Sequence, residues 1–369
     1  MATLAGALIA AVICSSGCEP VVQPDARDDV TQSLPTPSDL RVELDEVLDE
    51  TSRRRLSLDE HAAWQILHGV LAFGREFRAA KDEKRVPVVA YLQAGGTMQG
   101  WTVRRGIDLG DGRHGLQAVV EAGSKSGQGH DDQWFAVLAQ CGLRPKETLR
   151  AGDDVYTMAD FVQQVQWDVP RNGEQEFSWT LIGLTTYLPT DASWIAQDGR
   201  PWSIERLVEI ELDHDLHTSA CGGTHRLIGL AMALNRHLAD GGALTGVWQR
   251  ADDAIQHAIE DARRFQNPDG TFSTSYLERP GSSPDLAQNL GSTGHVLEFL
   301  TLAMTKEQLQ EPWVERAAVS LCKLLRDTRD LPLECGALYH AAHGLVLYRE
   351  YMFGPSGGAI NAAPDNLDS

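Results

Sequence analysis

His61 to Gly74 reads HAAWQILHGVLAFG, and five further stretches of the chain repeat its layout. They are GQGHDDQWFAVLAQ (127–140), FSWTLIGLTTYL (177–188), CGGTHRLIGLAMAL (221–234), LGSTGHVLEFLTLA (290–303) and CGALYHAAHGLVLY (335–348). Each is a short apolar run opened by small residues, and most carry a histidine near the start. A more polar, charged helical stretch precedes most of them. A helix with so little polar surface must be covered on nearly all sides. A closed ring does this: inner helices touch one another laterally, and outer helices cover their backs. The expected fold is therefore all-α, an (α/α)6 toroid of six outer/inner helix pairs. An open solenoid would need polar end caps, and no cap repeat is visible. Two separate helical bundles are the other alternative.

Spacing fits a repeat. From His61, the anchor positions His130, Trp179, His225, His295 and His340 follow at intervals of 69, 49, 46, 70 and 45 residues. Helix-pair repeats of about 40–47 residues are ordinary in helical arrays. The two long intervals predict insertions at Val86–Ile107 and Asn267–Asn289. The first, with VPVVAYL and a Gly-rich continuation, is expected to be a small β-excursion. Ser38 to Leu48 is expected to be the first outer helix with Ser38 as N-cap, and Ser57–Glu60 a capping box opening the first inner helix. The second outer helix is poorly marked and is placed at Gly115–Gly123. Thr157 and Ser203 read as caps of further outer helices, and Val247–Gln266 and Lys306–Asp327 carry helical periodicity.

The N-terminus reads as an export signal. MATLAGALIAAVICSSGC has an apolar run too short to span a bilayer and of the size of a signal h-region. Ser15-Ser16-Gly17-Cys18 resembles a bacterial lipobox, which makes Cys18 the expected lipidation site. The expected domains are a signal at 1–18, a Pro-bearing tether at 19–37, the toroid at 38–352 and a disordered tail at 353–369. The expected location is the periplasm or cell envelope, with the membrane as a partner through the anchor.

Composition narrows the function. The 369 residues carry a net charge of −20, with 42% hydrophobic and 23% charged residues. Such a chain is globular, and its acidic field disfavours nucleic acid as a partner. No CxxC occurs, so zinc ribbons and thioredoxin-like sites are excluded. Gly127-Gln128-Gly129-His130 lacks the Lys and spacing of a phosphate loop, and no Gly-x-Ser-x-Gly elbow exists. Cys141, Cys221, Cys322 and Cys335 sit in apolar helical contexts and read as buried free thiols.

The stretch AIEDARRFQNPDGTFSTSYLE (258–278), followed by LGSTGHVLEFLTLA, resembles the repeat of the terpenoid cyclase and protein prenyltransferase superfamily. There a Gln-x-x-Asp-Gly-aromatic turn joins an outer helix to the next inner one, as Gln266 to Phe272 would here. The resemblance implies the toroid, with inner helices starting at its wide mouth. It does not carry an activity, because fold does not imply function. The Asp-x-Asp-Asp acid of the cyclases is absent; Asp213-His214-Asp215 and Asp131-Asp132 do not match it. Prenyltransferases bind zinc through Asp, Cys and His, and Cys221 and His340 fall in similar places. Ser219 stands where that family has its Asp.

Histidine placement carries the candidate site. His61, His68, His130, His225, His295, His340 and His343 all lie early in the apolar runs. Imidazole suits acid–base work near neutrality and metal ligation. The expected catalytic set is His130, His225, His295 and His340, with Asp131, Arg226 and Tyr339 as polar partners at the ring's mouth. Positive helix N-termini are expected to hold these imidazoles neutral. Tyr339 or a His as base, with Arg226 neutralising a uronate, would suit a polysaccharide lyase. Paired acids such as Asp213 and Asp215 would suit a glycosidase. No cofactor is required by these readings; zinc is the alternative, with His217, Cys221 and His340 as candidate ligands. The expected function is a carbohydrate-active enzyme, of lyase or glycosidase type, on a saccharide or other small molecule in a central cavity. A non-catalytic binder or scaffold is the first alternative, a cyclase- or prenyltransferase-like enzyme the second.

Overall fold

The six apolar runs become six buried helices. In the computed structural model, which describes residues 34–172 and 176–355, thirteen α-helices follow one another among the described residues. They are α1 (Pro37–Ser52), α2 (Ala63–Phe73), α3 (Val88–Gln93), α4 (Gln133–Gln140), α5 (Met158–Asp168), α6 (Ser178–Tyr187) and α7 (Ile204–Asp213). Then come α8 (Thr224–Ala239), α9 (Val247–Arg264), α10 (Leu286–Ala303), α11 (Lys306–Leu309), α12 (Pro312–Asp327) and α13 (Cys335–Phe353). The segment expected as a signal, Cys18, most of the expected tether and most of the expected tail lie outside the described residues.

Helices α2, α4, α6, α8, α10 and α13 carry the apolar runs. Helix α2 packs on α4 and α13, α4 on α6, α6 on α8, α8 on α10, and α10 on α13. The more polar α1, α9 and α12 lie against this set: α1 on α13, α9 on α8, and α12 on α10 and α13. Gln65 of α2 donates to Cys335 Sγ at the start of α13, so the first and last apolar runs meet. None of the described helices is long and apolar enough to cross a membrane.

Strands are more widespread than one excursion. Helices make up 55% and strands 13%, so the chain is helix-rich and not purely helical. Four antiparallel hairpins occur among the described residues: β1–β2 (Arg78–Lys81, Lys84–Pro87), β3–β4 (Trp101–Gly110, Arg113–Val120), β5–β6 (Thr148–Ala151, Asp154–Thr157) and β7–β8 (Ser193–Ile195, Pro201–Ser203). Three of these hairpins form a repeat with the helix that follows. Val88 N of α3 donates to Phe77 O, Met158 N of α5 to Glu147 O, and Ile204 N of α7 to Ala192 O. In each unit the first helical N–H is satisfied by the residue just before its hairpin, which removes one orphan donor of the helix start.

Other boundaries differ as well. VPVVAYL, expected as strand, is divided: Val86 and Pro87 end β2, while the rest forms α3, because Val88, Val89 and Leu92 bury one helical face. Gly115–Gly123 is not the second outer helix; its alternating LQAVV pairs with β3 as part of β4. Thr36, not Ser38, caps α1, with Pro37 in the first turn. Ser57–Glu60 is a turn whose Ser57 bridges Ala80, and α2 begins only at Ala63. Lys306–Asp327 is broken into α11 and α12 at Pro312. Thr157 and Ser203 do cap α5 and α7. The Gln266–Phe272 stretch is a turn held by Gln266 Nε2, which donates to Gly270 O and Trp313 O.

Helices α10 and α13 form the most extensive helix pair. A Cβ built on Gly294 would lie 2.5 Å from Ala341 Cα and 2.7 Å from its N, both backbone atoms with no rotamer to yield. At Gly291, one turn earlier, the nearest atom would be Ala337 Cβ at 3.4 Å, an ordinary contact. Gly294→Ala is therefore expected to destabilise the chain by about 1–3 kcal/mol through overpacking. Gly291→Ala is expected to be neutral or stabilising by up to about 1 kcal/mol, since alanine is the better helix former. Paired urea denaturation curves measure both, and equal costs would contradict this packing.

Candidate functional site: a histidine–carboxylate pocket

Five histidines line one cavity of about 460 Å³. His68 comes from α2, His130 from the segment before α4, His225 from α8, His295 from α10 and His340 from α13. Their rings form a connected cluster. Centroids are 4.1 Å apart for His295–His340, 5.0 Å for His68–His340, 5.1 Å for His130–His225 and 5.2 Å for His225–His340. Trp64 and Tyr276 add aromatic surface, and Gln128, Gln133, Thr274 and Ser292 add amides and hydroxyls. Thr274 and Tyr276 come from the second long insertion, which contributes part of the wall.

Four of the imidazoles have a fixed tautomer. His130 Nδ1 lies 2.6 Å from Glu176 Oε2, and His340 Nδ1 lies 2.7 Å from Glu298 Oε2. His68 Nδ1 lies 2.6 Å from Trp64 O, and His295 Nδ1 lies 2.7 Å from Gly291 O. An ionised carboxylate and a carbonyl only accept, so each Nδ1 carries the proton and donates. The basic lone pair is then on Nε2 in every case. The Nε2 atoms of His295 and His340 are buried with no hydrogen-bond partner among the described residues. His225 has neither ring nitrogen hydrogen-bonded, although its Nδ1 sits 3.4 Å from Glu176 Oε1. Leaving such groups bare costs about 1–3 kcal/mol each.

Glu298 is shared. It takes His340 on one oxygen and His343, at 2.6 Å, on the other, and it is almost wholly buried. Burial alone would push its carboxyl up, but the adjacent imidazoles and their hydrogen bonds hold it well below the ordinary range. Glu176 shows the same balance, with burial opposed by His130 and His225, and it too ends below its ordinary value. Both are anions at neutral pH.

The backbone is unusual around this cavity. Six described non-glycine residues have positive φ: Asp82, Glu83 and Asp111 in hairpin turns, and Asp132, Cys221 and Tyr276 beside the pocket. Cys221 opens three consecutive left-handed residues, at φ 50°, 62° and 78° through Gly223. This turn starts α8 and brings the Cys221 thiol into the cavity wall. A Cβ on Gly222 would meet Tyr276 Cβ at 2.4 Å, so glycine is required where the turn passes Tyr276. Left-handed non-glycine residues cost roughly 1–3 kcal/mol each and concentrate at functional sites.

Among the described residues, two groups of side chains have metal-ligand spacing. Cys221, His225 and His295 place their donor atoms within 4.8 Å of one another, and so do His130, Glu176 and His225. Thiol and imidazole are the donors of zinc sites, and carboxylates that grip the remote ring nitrogen commonly orient such ligands. The bare Nε2 atoms show that the residues fit a cation. Burial pushes the Cys221 thiol up to about 12, so it is protonated until a cation takes the proton's place.

The expected partners of the histidines lie elsewhere. Tyr339 packs edge-on against Phe73 and Phe77, on the side of α13 away from the cavity. Arg226 is buried in an ion pair with Glu211 at 2.8 Å, and Glu211 also accepts from Phe177 N and Ser178 Oγ. This pair anchors the chain next to Glu176 and so positions that carboxylate. Asp131 is exposed and does not line the cavity. His217 is exposed in a 3₁₀ turn. Asp213 pairs with Arg250 at the surface, so Asp213 and Asp215 do not form an acid pair in the pocket. His61 accepts from Ser57 N and stays outside. Glu176, which the sequence left without a role, holds the site together with Glu298.

The cause of imidazole neutrality also differs from the expectation. His68 is held down to about 3, first by burial and then by neighbouring His340. His225 and His295 are lowered for the same first reason. Helix N-termini are not the common cause, because His295 sits in the middle of α10. A consequence follows for the metal-free protein. Unfolded histidine titrates near about 6.5. Between that value and its folded value, the unfolded chain binds a proton that the folded chain refuses. Stability is therefore full above about pH 6.5 and falls as pH drops toward 3, by about 2 kcal/mol at pH 5 for His68 alone. Glu176 and Glu298 add to the loss below about pH 4.5, since protonation removes their anions. Chelator-treated protein unfolded in urea at pH 7.5 and pH 5 should show this decline. Equal or greater stability at pH 5 would contradict it.

Comparison with protein-family models gave no match, and comparison with curated proteins gave none either. The class that the fold and the site define is a helix-rich protein with small hairpins and a buried histidine–carboxylate pocket.

Proposed function

We propose that the chain is an (α/α)6 toroid whose pocket is a metal-assisted acid–base site acting on a saccharide-class substrate. The cyclic packing order of α2, α4, α6, α8, α10 and α13 supports the toroid. The observation that carries the site reading is the set of locked imidazoles. Among the described residues the Nε2 atoms of His295 and His340 are buried with no hydrogen-bond partner, and Cys221 stands beside His225 and His295. Cys221, His225 and His295 would hold a zinc-class cation, which supplies Lewis-acid polarisation of a bound oxygen when present. Glu176 holds His130 with its proton on Nδ1, so His130 Nε2 can accept a proton from a substrate in the cavity. Glu298 does the same for His340.

The wall chemistry supports the substrate class. Gln128, Gln133, Thr274 and Ser292 line the cavity together with Trp64 and Tyr276, a mixture that hydrogen-bonds and stacks on sugar rings. A prenyl chain would be better served by an aromatic and aliphatic lining. Glu176 also lines another cavity of about 380 Å³, together with His214, Ser219 and Arg226 among others. The test is a panel of defined oligosaccharides, neutral and uronate-bearing, assayed for cleavage with zinc-loaded protein. Turnover of at least one member is expected, falling about 100-fold or more in His130→Asn. Binding without turnover would favour a ligand-binding protein, and neither would favour a scaffold.

We also infer export and anchoring through Cys18, supported by the apolar run and the Gly17-Cys18 pair. Expressed from its native start in a diderm bacterium, the chain should fractionate with membranes. Cys18→Ser should release it. Unprocessed wild-type protein in the cytosol would end this reading.

A further inference from the structure

His225 is the one residue common to both ligand groups. Its ring is buried, its Nδ1 has only a long contact with Glu176, and its Nε2 has no hydrogen-bond partner among the described residues. Buried imidazoles ordinarily satisfy at least one nitrogen, as His68 and His295 do here through backbone carbonyls. His225 lies instead between two donor sets. Glu176 Oε1 faces Nδ1 at 3.4 Å, and the same carboxylate holds His130 through its other oxygen. With Nδ1 turned to Glu176, Nε2 is left for Cys221 and His295. The two ring nitrogens of an imidazole diverge, so one cation cannot use both.

We propose that the pocket binds two cations, with His225 bridging them through its two ring nitrogens. The first is the ion of the preceding section, on whose reading this inference rests. The second lies between His130, Glu176 and His225. Imidazole and carboxylate donors suit zinc and its borderline neighbours. Loading is balanced in protons. Cys221 loses its thiol proton to solvent, and His225 loses its ring proton and becomes an imidazolate. His130 binds the second ion through Nδ1 and moves its proton to Nε2 without net loss. With both ions bound, His340, held by Glu298, is the imidazole left to act as base. Glu176 changes from hydrogen-bond acceptor to ligand. Two divalent ions against one thiolate, one imidazolate and one carboxylate leave a net charge of about +1, so the buried site does not accumulate charge.

The test is a titration of the full, chelator-treated chain with zinc chloride, with bound zinc counted by competition against a chromophoric chelator. Two equivalents are expected for the wild type. Cys221→Ala should retain one equivalent, and so should His130→Asn and Glu176→Gln. His225→Ala should weaken both. Circular dichroism on each variant separates a lost site from a lost fold, and His130→Asn, on the partly exposed side of the pocket, is the variant least tied to the core. One equivalent in the wild type, sensitive to Cys221→Ala and indifferent to His130→Asn, would overturn the bridge and leave the first site standing. One equivalent lost in both variants would also overturn it, as a single shared ion. One equivalent sensitive only to His130→Asn would overturn the bridge and the first site together. No zinc bound would overturn both proposals.

Discussion

Glu298→Ala is expected to destabilise the folded chain by about 3–5 kcal/mol, the cost typical of breaking a buried charged group away from its partners. The carboxylate is 2% exposed and is the acceptor for both His340 and His343. Alanine leaves two buried Nδ1–H donors without an acceptor and opens a cavity between α10 and α13. Those helices pack so closely at Gly294 and Gly344 that neighbours cannot move in to fill it. Glu298→Gln is expected to cost less. Its single carbonyl oxygen can still accept from one histidine, while its amide NH₂ faces the other donor and forces that ring to the opposite tautomer. Urea denaturation at pH 7.5 ranks the three proteins as wild type, Gln, Ala. A cost below about 1 kcal/mol for alanine would mean that the two histidines find other partners, and that Glu298 does not organise the pocket.

The second large effect is on metal affinity. Removing an orienting partner from a metal ligand already costs about 10–100-fold in affinity. Cys221→Ala and His295→Ala each remove a direct donor from a group of three, so each should weaken zinc binding at the first site by more than about 100-fold. Folding should be little affected at Cys221, which is partly exposed and holds a strained backbone conformation of its own. That separates ligand loss from unfolding. Calorimetric titration with zinc measures it, and an affinity unchanged by both substitutions would remove Cys221 and His295 from the site.

The helices of this chain could be read from HAAWQILHGVLAFG and its five counterparts, because apolar runs of that length with small residues at the start have few ways to be covered. The histidine cluster could be read for a related reason. His130, His225, His295 and His340 occupy similar places in runs that pack side by side, and the cavity they share follows from that packing. What could not be read is what each histidine touches. Glu176 lies 46 residues from His130 in sequence, and no periodicity links the two. Glu298 stands one helical turn after His295, yet it serves His340 and His343 on the facing helix. Tyr339 and Arg226 adjoin pocket histidines in sequence, but neighbours on a helix point about 100° apart, so both face away. The hairpin–helix repeat is not legible in the sequence because its turns differ: Asp82-Glu83, Gly152-Asp153 and a five-residue loop at 196–200 close the same local shape. The β-branched residues of VPVVAYL read as strand because nothing local marks the hairpin that caps α3.

The central claim is that Cys221 and the bare imidazole nitrogens bind a cation in this pocket. The most direct measurement is the electronic spectrum of the chelator-treated protein reloaded with cobalt(II). A thiolate-to-cobalt charge-transfer band, with the visible bands of a tetrahedral site, is the predicted result, and the charge-transfer band should vanish in Cys221→Ser. Protein that binds no cobalt, or that binds it without the thiolate band, would contradict the account.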